Sequence, residues 1–150
     1  MGVFFVVLKI SLLVAPVILS PLIIFLLRML FPYFLQEGAK LFTAIELPGS
    51  LARKVGTDIA IRNVIIFVVC WVASYGCTLL EFHYSWSILI AVSSVFLALF
   101  FTITLVKGRL SIRSWSDAGL VGLVAFAGGN LPLFILVGLA MGMTFIFSGS

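Results

Sequence analysis

The side chains able to do acid–base, nucleophilic or metal chemistry are few. The single histidine, His83, is two residues from Glu81, and one imidazole with one carboxylate supplies too few ligands for an ordinary metal site. Cys70 and Cys77 lie within one apolar run, about 10 Å apart along a helix at its usual rise per residue. That distance is too long for a disulfide. We therefore expect no metal site and no cofactor, and interpret both cysteines as packing residues.

The acidic residues all lie in loops or at the ends of apolar runs, so none is expected at membrane depth. They are Glu37, Glu46, Asp58, Glu81 and Asp117. A proton relay within a membrane needs ionisable groups at depth. The sequence also has neither a phosphate-binding loop nor a Ser/His/Asp set. We therefore expect the protein not to be an enzyme or a proton-coupled pump.

The most unusual polar position is Asn130, within the sequence Gly128-Gly129-Asn130-Leu131-Pro132. Pro132 frees the carbonyl of Gly128, and the two glycines lower the cost of unwinding a helix. Asn130 is suited to cap a helix that begins at Leu131. Two interpretations stay open here, namely one long kinked helix or a short helix followed by a separate span. A broken helix at membrane depth can form an ion or substrate site, so Gly128, Gly129, Asn130 and Pro132 are the candidate pathway residues.

Four long apolar runs position these residues, at about 10–27, 63–80, 84–106 and 118–147. The chain is 63% hydrophobic and 9% charged, and its mean hydropathy is +1.35. About 18 apolar residues are enough to cross the hydrocarbon core as a helix, and the runs do not alternate as barrel strands would. The sequence predicts an all-α, polytopic membrane bundle of about four spans, forming a single domain over residues 1–150.

The one substantial polar segment, residues 36–62, separates the first two runs. Leu51, Val55 and Ile59 recur every four residues, which predicts short interfacial amphipathic helices with basic residues near the lipid headgroups. The candidate basic residues of this surface are Arg53, Lys54 and Arg62. A docking surface for a cytoplasmic partner is the alternative interpretation. Asp58 and Arg62 are spaced four apart, so we expect them to pair on one helix face.

The basic residues are distributed unevenly among the loops, which predicts the orientation. The first and third loops carry Lys and Arg, whereas the second loop, Glu81-Phe82-His83, carries neither. By the positive-inside rule the first and third loops face the cytoplasm and both termini lie on the other side. The expected location is a bacterial inner or plasma membrane, or an organellar inner membrane. The basic residues do not indicate a nucleic-acid partner.

Small residues mark the expected packing faces. The third run carries a stripe of Ser87, Ala91, Ser94 and Ala98. Such faces let membrane helices approach closely, so we expect the second and third helices to form an antiparallel hairpin. In the fourth run, Gly138 and Gly142 form a Gly-x-x-x-Gly pair suited to the same kind of contact.

The first run contains Pro16 and Pro21, which predict a bend. Ser20, next to Pro21, is expected to help satisfy the backbone group that the proline frees. Trp71 is expected in mid-span, where its indole N–H needs either an acceptor or a shallow depth in the membrane.

Two functional hypotheses follow from these features. The first is a non-catalytic integral membrane subunit of a larger secretion, transport or energy-transducing assembly, in contact with lipid and with other subunits. The second is a homo-oligomeric channel or small transporter that uses the break around Asn130. Co-purification of partners and flux into liposomes distinguish the two.

Overall fold

The computed structural model describes the backbone of residues 2–148 and the side-chain surroundings of residues 2–139 and 142. Within that range the chain forms five helices: α1 (Gly2–Thr43), α2 (Gly49–Leu79), α3 (Tyr84–Arg109), α4 (Trp115–Gly129) and α5 (Leu131–Ser148). The first three are long and apolar enough to span a membrane, and α4 with α5 makes a fourth if the bent pair counts as one span. The predicted all-α, multi-pass membrane fold is confirmed.

The predicted short interfacial helices are wrong. The polar segment 36–62 instead belongs to the C-terminal end of α1 and the N-terminal part of α2. The chain leaves helical geometry only over residues 44–48, where Ala44 has a φ of 53° and Pro48 precedes α2. From Gly49 to Leu79 the sequence contains no proline to interrupt the helix, so the polar residues continue a long membrane helix.

The apolar stripe of this segment packs inside the bundle. Val55 and Ile59 are fully buried and Leu51 packs against the same core, because α2 lies along α1. At Gly56, an added Cβ would lie 2.8 Å from Cδ of Pro32, so glycine permits the close approach of the two helices. The stripe therefore faces protein, where the sequence interpretation placed it against lipid headgroups.

The hydrophobic core lies in the half of the bundle nearest the α1–α2 and α3–α4 loops, called here the basic end. Helix α1 packs between α2 and α4, and α3 closes the ring by contacting both. In the C-terminal half of α1, four residues spaced four apart enter this core and are buried: Ile23, Leu27, Phe31 and Leu35.

Side chains satisfy the backbone carbonyls that two prolines of α1, Pro16 and Pro21, leave free. Ser20 Oγ donates to the carbonyl of Val17 at 2.7 Å, which is the carbonyl that Pro21 leaves without its usual helical partner. The expected role of Ser20 is confirmed.

The carbonyl that Pro16 leaves free also accepts a hydrogen bond, in this case from a side chain of a neighbouring helix. Its missing N–H leaves the carbonyl of Leu12 free, and Trp71 Nε1 of α2 donates to that carbonyl at 3.1 Å. The expected acceptor of the mid-span indole is thereby identified. This bond ties α2 to the otherwise exposed N-terminal half of α1.

Helices α2 and α3 form the predicted antiparallel hairpin. Ser87 Oγ donates to the carbonyl of Ser74 at 3.0 Å, and Ser74 Oγ donates to the carbonyl of Ser87 at 3.3 Å. These reciprocal bonds hold the hairpin together near its turn.

Candidate functional site

The fourth apolar run is broken at Asn130. Helix α4 ends at Gly129, α5 begins at Leu131, and the two helices differ in direction by 47°. Of the two interpretations left open by the sequence, the structure supports the broken element. Pro132 lies in the first turn of α5, where a backbone N–H would have no partner within that helix.

The predicted capping role of the Asn130 side chain is wrong. The Asn130 backbone N–H donates to the carbonyl of Phe126 at 3.1 Å, and its carbonyl accepts from the N–H of Phe134 at 3.0 Å. Both backbone groups of Asn130 are therefore satisfied by the two flanking helices, and its side chain is free to face another helix. Its Oδ1 accepts from Nδ2 of Asn63 on α2 at 3.3 Å.

The Asn63–Asn130 amide pair is the most deeply placed polar contact between helices at this site. Each residue is only 3% exposed, and the two are 67 positions apart in sequence. The sequence pattern indicates Asn130 but not Asn63, which is only the first residue of an apolar run. The available signal was an amide at the edge of an otherwise apolar stretch.

Gly128 and Gly129 make room for two aromatic rings of α1. A Cβ on Gly128 would overlap the ring of Phe34, and a Cβ on Gly129 would overlap the ring of Phe31. Phe31 is fully buried. The glycine pair therefore has a clear packing role between α1 and α4.

A groove of about 510 Å³ opens beside the amide pair, between α2, α3 and the α4–α5 junction. Its lining is mostly aliphatic and aromatic, and the side chains from α2 include Phe67, Cys70 and Trp71. Phe126 and Phe134 lie on either side of Asn130, with ring centroids 6.0 Å apart. The groove is thus apolar along its walls and has its amides at the end nearer the basic end.

The small-residue stripe of α3 is divided between two surroundings. Ser87 contacts Ser74 in the hairpin, whereas Ala91, Ser94 and Ala98 line the groove. Only Ala98 of these three is buried. Much of the stripe therefore faces an open space.

Gly138 and Gly142 lie on α5 beyond the bend. Among the described residues, a Cβ added at either glycine would meet no atom within 4 Å. The Gly-x-x-x-Gly face therefore makes no close helix contact within the described chain.

The basic candidates Arg53, Lys54 and Arg62 are all exposed near the basic end. The predicted Asp58–Arg62 pair is wrong, because Asp58 Oδ2 lies 3.5 Å from an Arg109 guanidinium nitrogen of α3. Both side chains are substantially exposed, so this ion pair contributes at most about 1 kcal/mol.

The described residues contain no group of three or more His, Cys, Asp and Glu side chains placed to hold a metal ion. Cys70 and Cys77 are both free thiols.

The chain matches no protein-family model, no curated protein and no solved structure.

Proposed function

We propose that the chain is a non-catalytic integral membrane subunit of a larger secretion, transport or energy-transducing assembly. The observation that carries the proposal is the position of α5. After the 47° bend, the described part of α5 makes sparse contacts with α1 and α4. It presents Gly138 and Gly142 to open space.

A small-residue face has a specific physical use in lipid. Hydrophobic burial does not drive helices together there, whereas close backbone approach across glycines does. The apolar residues around the pair, Ile135 and Leu139, are also exposed. This arrangement supports a contact between α5 and a transmembrane helix of another subunit.

Affinity purification from native membranes in mild detergent tests the proposal. We expect a partner to co-purify with the unchanged chain and to be lost from the Gly138→Leu/Gly142→Leu variant. Leu136→Phe is the matched control, because Leu136 lies on a different side of α5 and is already partly exposed. A chain that is isolated from its native membrane as a functional monomer without partners would overturn the proposal.

The alternative is a homo-oligomeric channel or small transporter. The buried amide pair at the break supports it, because polar groups at membrane depth are typical of transport pathways. The packing at Gly128 and Gly129 argues against a pathway there, because the rings of Phe34 and Phe31 occupy the space beside these glycines. Flux into liposomes containing only the purified chain would support this alternative, and flux that is unchanged in Asn130→Ala would place the pathway elsewhere.

We also propose that the basic end faces the cytoplasm and both termini face away from it. The Asp58–Arg109 contact supports this orientation, because it joins the N-terminal part of α2 to the C-terminal end of α3. Lys107 Nζ lies 4.8 Å from the ring centroid of Trp115 at the same end. The basic loops thus share one face of the bundle, as the positive-inside rule expects of cytoplasmic loops.

A further inference from the structure

We propose that the groove between α2, α3 and α5 binds a neutral lipophile whose planar ring carries a carbonyl, such as an alkyl benzoquinone. The groove shares Gly138 with the α5 contact proposed above, but its proposed ligand is recognised by other residues. Binding depends on the size of the groove, its aromatic walls and the amides at its end.

The size of the groove suits a small molecule. Its volume of about 510 Å³ falls within the range of roughly 300–1,000 Å³ typical of small-ligand sites. From Asn63 to Ser74 on α2 it runs for about 16 Å at the usual helical rise.

The amide pair supplies hydrogen-bond donors that its own contact does not use. Two asparagine amides carry four N–H groups and two oxygens between them, and the bond between Asn63 and Asn130 uses one N–H and one oxygen. Three N–H groups therefore remain whichever way the two amides are oriented.

The amide atoms that this bond leaves without a partner in the described residues, Asn130 Nδ2 and Asn63 Oδ1, are not fully enclosed. Both asparagines line the groove. A carbonyl oxygen is the complementary group for spare N–H donors. In hydrocarbon such donors are costly when nothing accepts from them.

The walls favour a flat ring next to that carbonyl. Phe126 and Phe134 flank Asn130 along the chain, and Phe67 and Trp71 stand on α2 with centroids 5.9 Å apart. Aromatic side chains pack well against a planar ring in offset or edge-to-face geometry. The rest of the groove, toward Ala91 and Gly138, is apolar and suits an alkyl tail.

Trp71 makes the proposal testable because it lies in the groove. In a Trp86→Phe/Trp115→Phe background it is the sole tryptophan, and its fluorescence reports occupancy in the full-length chain in liposomes. The probe is decyl-1,4-benzoquinone, and the comparison compound is 1-bromo-4-decylbenzene, a quencher with a similar ring and tail but no carbonyl. We expect saturable quenching by the quinone and only linear, partition-driven quenching by the bromo compound.

Two variants distinguish the contribution of the amide groups to binding from that of the open volume of the groove. Asn63→Leu/Asn130→Leu replaces both partners by apolar groups of similar size, which preserves packing better than a single change. We expect it to raise the half-saturating quinone concentration about tenfold, as loss of one hydrogen bond would. Ser94→Phe fills the groove without touching the amides and should abolish saturation. Ser93→Phe, at an exposed neighbour outside the groove, is the matched control and should leave it unchanged.

Three results would overturn the proposal. The first is linear quenching by the quinone, which indicates partition into lipid alone. The second is equal saturation by the bromo compound, which indicates an apolar cleft filled by acyl chains. The third is a half-saturating quinone concentration that is unchanged in the double leucine variant or in Ser94→Phe.

Discussion

Gly119 and Gly129 lie on the same helix, α4, but a side chain is tolerated at only one of them. A Cβ on Gly119 would meet no atom within 4 Å, whereas a Cβ on Gly129 would overlap the ring of Phe31. We expect Gly129→Ala to lower the free energy of unfolding by about 1–3 kcal/mol, as overpacking does. Gly119→Ala should raise it by up to about 1 kcal/mol through helix propensity. Reversible unfolding in mixed detergent micelles measures both changes, and equal effects would contradict the packing role of Gly129.

Pro16 and Trp71 form a second pair whose coupling is measurable. Trp71→Phe removes the donor to the Leu12 carbonyl and should cost about 0.5–1.5 kcal/mol. With Pro16→Ala present, the new backbone N–H can bond that carbonyl within the helix, so Trp71→Phe should cost less.

A double-mutant cycle on the free energy of unfolding measures the coupling between Trp71 and Pro16 directly. Trp86→Phe is the control, because Trp86 is exposed and should show no coupling to Pro16→Ala. Additive effects of Trp71→Phe and Pro16→Ala would contradict the bond between α1 and α2.

At the scale of the elements, the Asn63–Asn130 bond fixes α2 to the bend between α4 and α5. Asn63→Leu or Asn130→Leu alone leaves one buried amide without its partner and should destabilise the bundle by about 1–3 kcal/mol. The double leucine variant should cost less than the sum of the two, because no unpaired amide remains. Unfolding of the three variants measures this difference, and strict additivity would show that the amides stabilise the helices separately.

The elements that the sequence predicted well are those fixed by local pattern. The α2–α3 hairpin follows from two apolar runs and a short turn, and the α3 bounds, Tyr84–Arg109, are close to the predicted run. The lengths of α1 and α2 were underestimated because hydropathy marks where lipid begins, whereas a helix continues until its backbone is interrupted. Arg28 and Arg62 bound the first two apolar runs without ending a helix.

The candidate site was only half predictable for a related reason. The break at Asn130 is encoded locally by the glycines and Pro132, so the sequence located it. Its partner Asn63 is 67 residues away, and no periodicity along a single helix connects the two. The packing role of Gly128 and Gly129 likewise depends on the fold, because it arises where Phe31 and Phe34 of α1 pack against α4.

At the scale of the whole molecule, packing is concentrated at the basic end. The buried residues of α1 begin at Pro16 and extend to Ala39, whereas the residues before it are mostly exposed. Lipid solvates apolar surface, so an open half is compatible with a stable bundle in a membrane. Both the groove and the free face of α5 lie in this open half, and the two proposals therefore concern the same region of the molecule.

The proposed orientation follows from which loops share the basic end, and single cysteines can test it. In a Cys70→Ser/Cys77→Ser background, we expect a membrane-impermeant maleimide added outside intact cells to label Phe82→Cys in the α2–α3 turn. It should label Ile45→Cys and Gly108→Cys, near the other two loops, only after the membrane is opened. All three positions are exposed, so differences in labelling report the side of the membrane and not burial. Because the second loop and the two basic loops are separated by whole spans, labelling of Gly108→Cys together with Phe82→Cys in intact cells would contradict the orientation.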